Sequence, residues 1–256
     1  MATQLLPDAA PLTAHPFVRL ARTRFGHAAQ LVTLGALHYA ALKIPNLPHA
    51  QLAFGDGVAV AGVVVLGVWA APAILISGLL HFLGSTPTSL ALYFAGGEAL
   101  TAVVAGVGLR LARWNDPAFE SIRDVIWFIG LTAIMAPLAY IVSAPLVQIL
   151  TANTYQMAGS FSFLLYLRSL MGILLVAPVL LTWLAARPQY RATAGWLELG
   201  ALATAMLTVA VFSPSLTGIA YLPLFLLLCW AGLRAGARGT TLASLGIFVI
   251  TAYLTR

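Results

Sequence analysis

The sequence predicts an all-α fold: a polytopic transmembrane helical bundle of about 8–9 spanning segments with a cytoplasmic N-terminus. Three observations lead there. First, the 256 residues are 61% hydrophobic and only 8% charged, with a mean hydropathy of +0.96. A soluble domain carries roughly a quarter of its residues as charges, so most of this chain must lie in lipid. Second, the apolar residues come in runs of about spanning length, closed by proline, glycine or basic residues. Third, the arginines fall at every second turn, which fixes one face.

Composition also removes function classes. The formal net charge is +6, but the basic residues punctuate apolar runs and form no stripe, so nucleic acid is not an expected partner. The single cysteine, Cys229, lies in an apolar run and reads as an inert buried thiol. It permits no intrachain disulfide framework. The N-terminus lacks a basic region followed by an apolar core and cleavage site, so no cleaved signal peptide is expected.

In chain order, residues 1–25 form an N-terminal tail and 26–256 the transmembrane domain. The tail contains Pro7 and Pro11, then FVRLARTRF over 17–25. That segment reads as a short interfacial helix on an anionic leaflet or as a basic flank that sets topology. Spans are predicted at about 28–42, closed by Lys43, Pro45 and Pro48, and at about 52–69. A break at Ala71-Pro72 leads into a short third span ending near Leu83. Gly84-Ser-Thr-Pro is a turn. The fourth span covers about 90–111, and the charged loop 110–124 follows. The fifth, about 125–150, is expected to kink at Pro137 and Pro145. After the polar, uncharged stretch 151–160 comes FLLYLRSLMGILLVAPVLLTW, 163–183, a spanning run carrying Arg168 and Pro178. Further spans are predicted at about 197–212, 220–233 and 241–253.

With these nine spans alternating, Arg19, Arg22, Arg24, Arg110, Arg113, Arg123, Arg187, Arg191, Arg234 and Arg238 share one side. The opposite loops near 84–88, 151–162 and 213–219 hold no lysine or arginine, so the basic side is cytoplasmic. An odd count puts Arg256 outside, so the bundle either lacks a final span or ends in a partial crossing. Trp69, Trp114, Trp127, Trp183 and Trp196 fall near the basic ends as interface anchors, and Trp230 joins them.

Several segments resemble the MASE1 family, the integral membrane sensory domain found ahead of bacterial histidine kinases and diguanylate cyclases. They are GEALTAVVAGVGLRLARW (97–114), IRDVIWF (122–128), MGILLVAPVLLTWL (171–184) and LPLFLLLCWAGLRAGARGTTLA (222–243). Of the family's Asn-x-x-Glu-Ala pattern, Glu98-Ala99 is present. The places of its Gly-Asp-x-x-Gly pattern hold Arg168, Ser169 and Gly172, so the family acid is replaced by serine beside a guanidinium. The likeness covers roughly residues 50–256. It implies a bacterial inner-membrane, multi-pass signal-input domain with a cytoplasmic kinase or cyclase output, and one further span beyond residue 256.

A lone guanidinium in a spanning run is costly and must snorkel, face a bundle interior or pair with an acid. Only Asp56 and Glu98 lie in comparably apolar surroundings. At about 1.5 Å per residue, Asp56 and Arg168 fall at one level in the outer half, with Glu98 a turn lower. Two readings stay open: a cluster that lines an outward-facing cavity and binds a small polar ligand, or a buried pair that fixes helix register. His38 and His81 fall in the same half. They can join the cluster as pH-sensitive members, serve as axial ligands of a haem, or simply bond a carbonyl or water. Arg234 and Arg238 flank Ala235-Gly236 at the basic face, for contact with lipid phosphates or an output domain, or as a tight orienting turn. Gly96-Gly97 with Ala95, Ala99 and Ala102 is expected to admit a close helix neighbour. Carbonyls freed by the prolines are expected to bond Ser143 and Thr182.

No phosphate-binding glycine loop, Ser/His/Asp signature or HExxH motif is present, so no enzymatic activity is expected. The leading reading is a non-catalytic sensory domain that couples an outer-face or intramembrane stimulus to a cytoplasmic output. The alternatives are a structural or cofactor- or pigment-holding subunit of a larger membrane complex, and a small-molecule transporter. Partners follow the same division: the lipid bilayer, an output domain or other membrane subunits, and a second copy of the chain.

Overall fold

The computed structural model describes residues 24–43, 53–111, 123, 125–134, 159–184 and 236–249, with isolated positions between 200 and 228. Among these residues every regular element is helical. The helices are α1 (Arg24–Lys43), α2 (Phe54–Leu66), a 3-10 turn (Gly67–Ala70), α3 (Ala71–Phe82), α4 (Thr88–Leu111), α5 (Val125–Ile134), α6 (Gly159–Leu184) and α7 (236–249). Three stretches are long and apolar enough to cross a membrane: Phe54–Phe82, Leu90–Leu111 and Tyr166–Leu184. Only isolated positions of the predicted spans near 197–212 and 220–233 are described, and the prolines at 137 and 145 lie outside the described residues.

Phe54–Phe82 does not run straight. The expected break at Ala71-Pro72 falls a few residues earlier, at Gly67, whose φ of 77° favours glycine. A side chain there would also strike the Arg110 guanidinium, with Cβ 2.5 Å from Nη1. Pro72 sits in the first turn of α3, where its missing N–H costs nothing. The chain therefore reverses, and α2 and α3 run antiparallel.

These two arms lie on one diagonal of a four-helix bundle, with α1 and α4 on the other. Leu34 of α1 packs where a Cβ at Gly62 would stand, and Gly35 of α1 meets Ala73 of α3. On the far side Val63 of α2 fills the space over Gly106 of α4, and Ala95 of α4 lies against Gly78 of α3. The turn predicted at 84–87 is present: the Ser85 and Thr86 amides and the Thr86 hydroxyl all donate to the Phe82 carbonyl.

α6 packs on α2, the two running parallel. Their crossing is backbone on backbone. The Ala53 amide donates to the Arg168 carbonyl at 3.4 Å. A Cβ on Gly57 would lie 2.5 Å from the Gly172 carbonyl oxygen, and one on Gly172 would overlap the Ala53 carbonyl. α5 joins α6 through Tyr166, whose hydroxyl donates to the Ala133 carbonyl at 3.2 Å.

Among the described residues a Cβ on Gly96 or Gly97 would meet nothing within 4 Å, so the close backbone approaches seen there lie elsewhere. They fall at Gly57, Gly78, Gly106 and Gly172, although Ala95, Ala99 and Ala102 are buried as expected.

The core is aliphatic: Val60, Val63, Ile74, Leu109, Ile173 and Leu181 are fully or nearly fully buried. The outward faces are apolar too. Phe25, Val32, Leu37, Ile76, Leu80 and Ile126 are exposed, which water would penalise and acyl chains accept. Trp69, Trp127 and Trp183 are also exposed. They lie at the bundle end that carries Arg110, Arg123 and Arg238, as interface anchors should.

Pro178 lies inside α6. Its missing N–H frees the carbonyl of Leu174, but Thr182 does not satisfy it: that hydroxyl donates to Val179 instead, at 3.0 Å.

Gly172→Ala forces one of two backbones to move, and should lower unfolding stability in detergent by about 1–3 kcal/mol. Gly97→Ala, with open space around it, should be neutral or stabilising by up to about 1 kcal/mol. Thermal melts of the two variants check both values.

Candidate functional site: a buried charge cluster

The five residues singled out in the outer half come together from five helices. His38 enters from α1, Asp56 from the first turn of α2, His81 from the last turn of α3, Glu98 from the middle of α4 and Arg168 from α6.

His38 occupies the centre and is fully buried. Its Nδ1 lies 2.7 Å from the Ser77 hydroxyl of α3. Ser77 is itself tied back to the Ala73 carbonyl at 2.7 Å, the bond a serine makes one turn below its own position. His38 Nε2 faces Glu98 Oε2 across the bundle diagonal at 3.7 Å. Glycines bring the backbones this close. A Cβ on Gly55 would sit 3.3 Å from His38 Nε2, and one on Gly78 3.4 Å from Glu98 Oε2.

Asp56 is buried beside Ser169 and within electrostatic reach of Arg168. Glu98 lies within reach of both Asp56 and Arg168. His81 senses His38, Lys43 and Arg168. It packs edge-on against Tyr39 and Phe82 at 6.4 and 4.8 Å between ring centroids. Several polar atoms here are buried without a hydrogen-bond partner among the described residues: His38 Nε2, Asp56 Oδ1, His81 Nδ1, Glu98 Oε2 and Ser169 Oγ.

Ser77, Ser169 and Lys43 were not singled out as members. Ser77 carries a usable signal, since it stands four residues before His81 and so shares its helix face. Ser169 adjoins Arg168, and only the fold shows that it turns toward Asp56.

For haem ligation the geometry is unhelpful: both ring nitrogens of His38 already face protein groups. No set of three or more His, Cys, Asp or Glu side chains suited to a metal ion occurs among the described residues. At the opposite end Arg238 donates from Nε to the Thr182 carbonyl at 2.9 Å and lies over the Trp183 ring at 5.5 Å. It thereby caps the C-terminal end of α6. Arg234 lies outside the described residues.

Chemically, the cluster gathers two carboxylates, two imidazoles and one guanidinium from five helices into one electrostatic unit. Arg168→Leu leaves two carboxylates facing each other and should cost about 3–5 kcal/mol. Asp56→Leu in the same background should cost less than it does alone, a coupling of about 0.5–3 kcal/mol readable from a double-mutant cycle of unfolding free energies.

No match was found among curated proteins or solved structures. The MASE1 family model matches residues 25–256, nearly the whole chain and all five helices that build the cluster. The protein is thus an integral membrane protein, and it belongs to MASE1, a family of membrane sensory domains.

Proposed function

We propose that this chain is the multi-pass input domain of a bacterial inner-membrane sensor, with its N-terminus in the cytoplasm. On this reading the cluster of Asp56, Glu98, Arg168, His38 and His81 receives the stimulus. A cytoplasmic kinase or cyclase domain reads the result, and the membrane domain performs no catalysis.

The observation that carries the reading is where the cluster sits on α6. Arg168 and Ser169 face the site, and one turn further on Gly172 is locked against the α2 backbone. The same helix then runs to Thr182 and Trp183, where Arg238 holds it at the basic end. A change of charge in the cluster alters the force between α2 and α6 at a crossing where Gly57 meets the Gly172 carbonyl and the stiff, β-branched Val176. Such a contact shifts between discrete arrangements and does not deform smoothly. The shift reaches the cytoplasmic end along α6, past Pro178.

The test is a fusion of the whole chain to a histidine kinase or diguanylate cyclase reporter. Glu98→Gln removes a charge while keeping the shape of the side chain, and should hold the reporter in one output state. A folded Glu98→Gln protein whose output still responds as the parent does would remove the cluster from the input role. Orientation is tested separately in a Cys229→Ser background. Cysteines introduced at Trp69 and Ser85 should be labelled by an impermeant thiol reagent from opposite sides, with position 69 cytoplasmic.

A further inference from the structure

Among the described residues the fixed charges of the cluster do not balance. Two carboxylates, Asp56 and Glu98, lie within mutual reach of one guanidinium, Arg168. With both histidines neutral the site carries one net negative charge. An uncompensated charge in a dry, low-dielectric interior is costly. The orphaned atoms point the same way. Asp56 Oδ1, Glu98 Oε2 and Ser169 Oγ are buried without hydrogen-bond partners among the described residues. Asp56 is 4% and Ser169 0% exposed. These are hard oxygen donors on three different helices.

We propose that the cluster binds one monovalent cation, a proton or a sodium ion, between the carboxylates of Asp56 and Glu98. Two observations narrow the class. A divalent ion would leave the site one charge positive instead of neutral. A larger organic ligand has little room, because the α2 and α3 backbones close over the site at Gly55 and Gly78. Among the described residues the groups near the carboxylates are His38 of α1 and Arg168 of α6; His81 of α3 lies within reach of both of these, and Lys43 and Tyr39 of α1 reach as far as His81. The described parts of α5 and α7 bring no titratable side chain to this end. The cation is the stimulus of the site proposed above, and in that sense the inference rests on that reading.

The purified chain in nanodiscs, with no output domain attached, is melted in sodium chloride against choline chloride at constant ionic strength and several pH values. A midpoint that rises with sodium at fixed pH identifies sodium. A midpoint that rises as pH falls in choline alone identifies the proton, since a proton bound only in the folded state stabilises it. Either should amount to a few degrees per tenfold change in the cation. Glu98→Gln and Asp56→Asn should abolish the dependence, while Ser169→Ala should weaken the sodium response about tenfold in concentration. A wild-type midpoint flat in both sodium and pH, or a dependence retained in both carboxamide variants, overturns the proposal.

If neither carboxamide variant folds, infrared spectra of the wild type decide. A protonated-carboxyl band lost on adding sodium or raising pH supports the site, as does a sodium-dependent shift of the carboxylate bands. The absence of both overturns it. Because no signal output is read, failure here removes the cation and leaves the sensory reading to its own test.

Discussion

The burial of ionisable side chains is the constraint on which the described cluster depends. His38 Nε2 of α1 stands 3.7 Å from Glu98 Oε2 of α4 across the bundle diagonal, with no hydrogen bond between them. His38 needs Ser77 at its other nitrogen, so α3 must present its serine face. Glu98 needs a cation, and Arg168 reaches it only because α6 lies tightly on α2. Burial of such groups in an apolar setting is expensive unless each finds a partner. The cluster therefore specifies which helix faces meet, whereas the aliphatic core alone would tolerate other rotations.

Glycine makes the arrangement possible. Gly55 and Gly78 let helix backbones stand next to the histidine and the glutamate, and Gly57 with Gly172 lets α6 touch α2 without side chains between them. Within lipid, helices gain little from hiding apolar surface, so close backbone approach and polar contacts supply the association. Here the two occur within a turn of one another. Ser169 stands where the family resemblance puts an acid, and Asp56 from the neighbouring helix lies against it.

Membrane residence was legible in the sequence, and so was α4 to within two residues, whereas α1 and α6 each begin four residues before the expected start. An isolated charge in a long apolar run is a strong signal, because lipid allows it few places to go. The basic ends were legible for the same reason: Arg110, Arg123 and Arg238 lie at one end of the described bundle. What the sequence hid was the packing. Nothing local distinguishes Gly97, which faces open space, from Gly172, which touches a backbone, since each is a glycine in an apolar helix. The reversal at Gly67 was misplaced to Pro72 because a proline in the first turn of a helix looks the same as one that breaks it. Ser77 was passed over because a serine can satisfy itself on its own helix, and only the fold shows its oxygen also meeting His38.

The reversal at Gly67 has a bearing on how the protein is made. At about 1.5 Å per residue, α2 and α3 are each roughly 20 Å long, short of the ~30 Å hydrocarbon thickness. Neither arm presents a full-length signal to the insertion machinery, whereas an 18-residue window within Phe54–Phe82 reaches a mean hydropathy of 2.4. The two arms must therefore enter the bilayer as one unit. Inserted in chain order, they would carry Asp56 and His81 into lipid ahead of α4 and α6, which pack against those arms in the bundle.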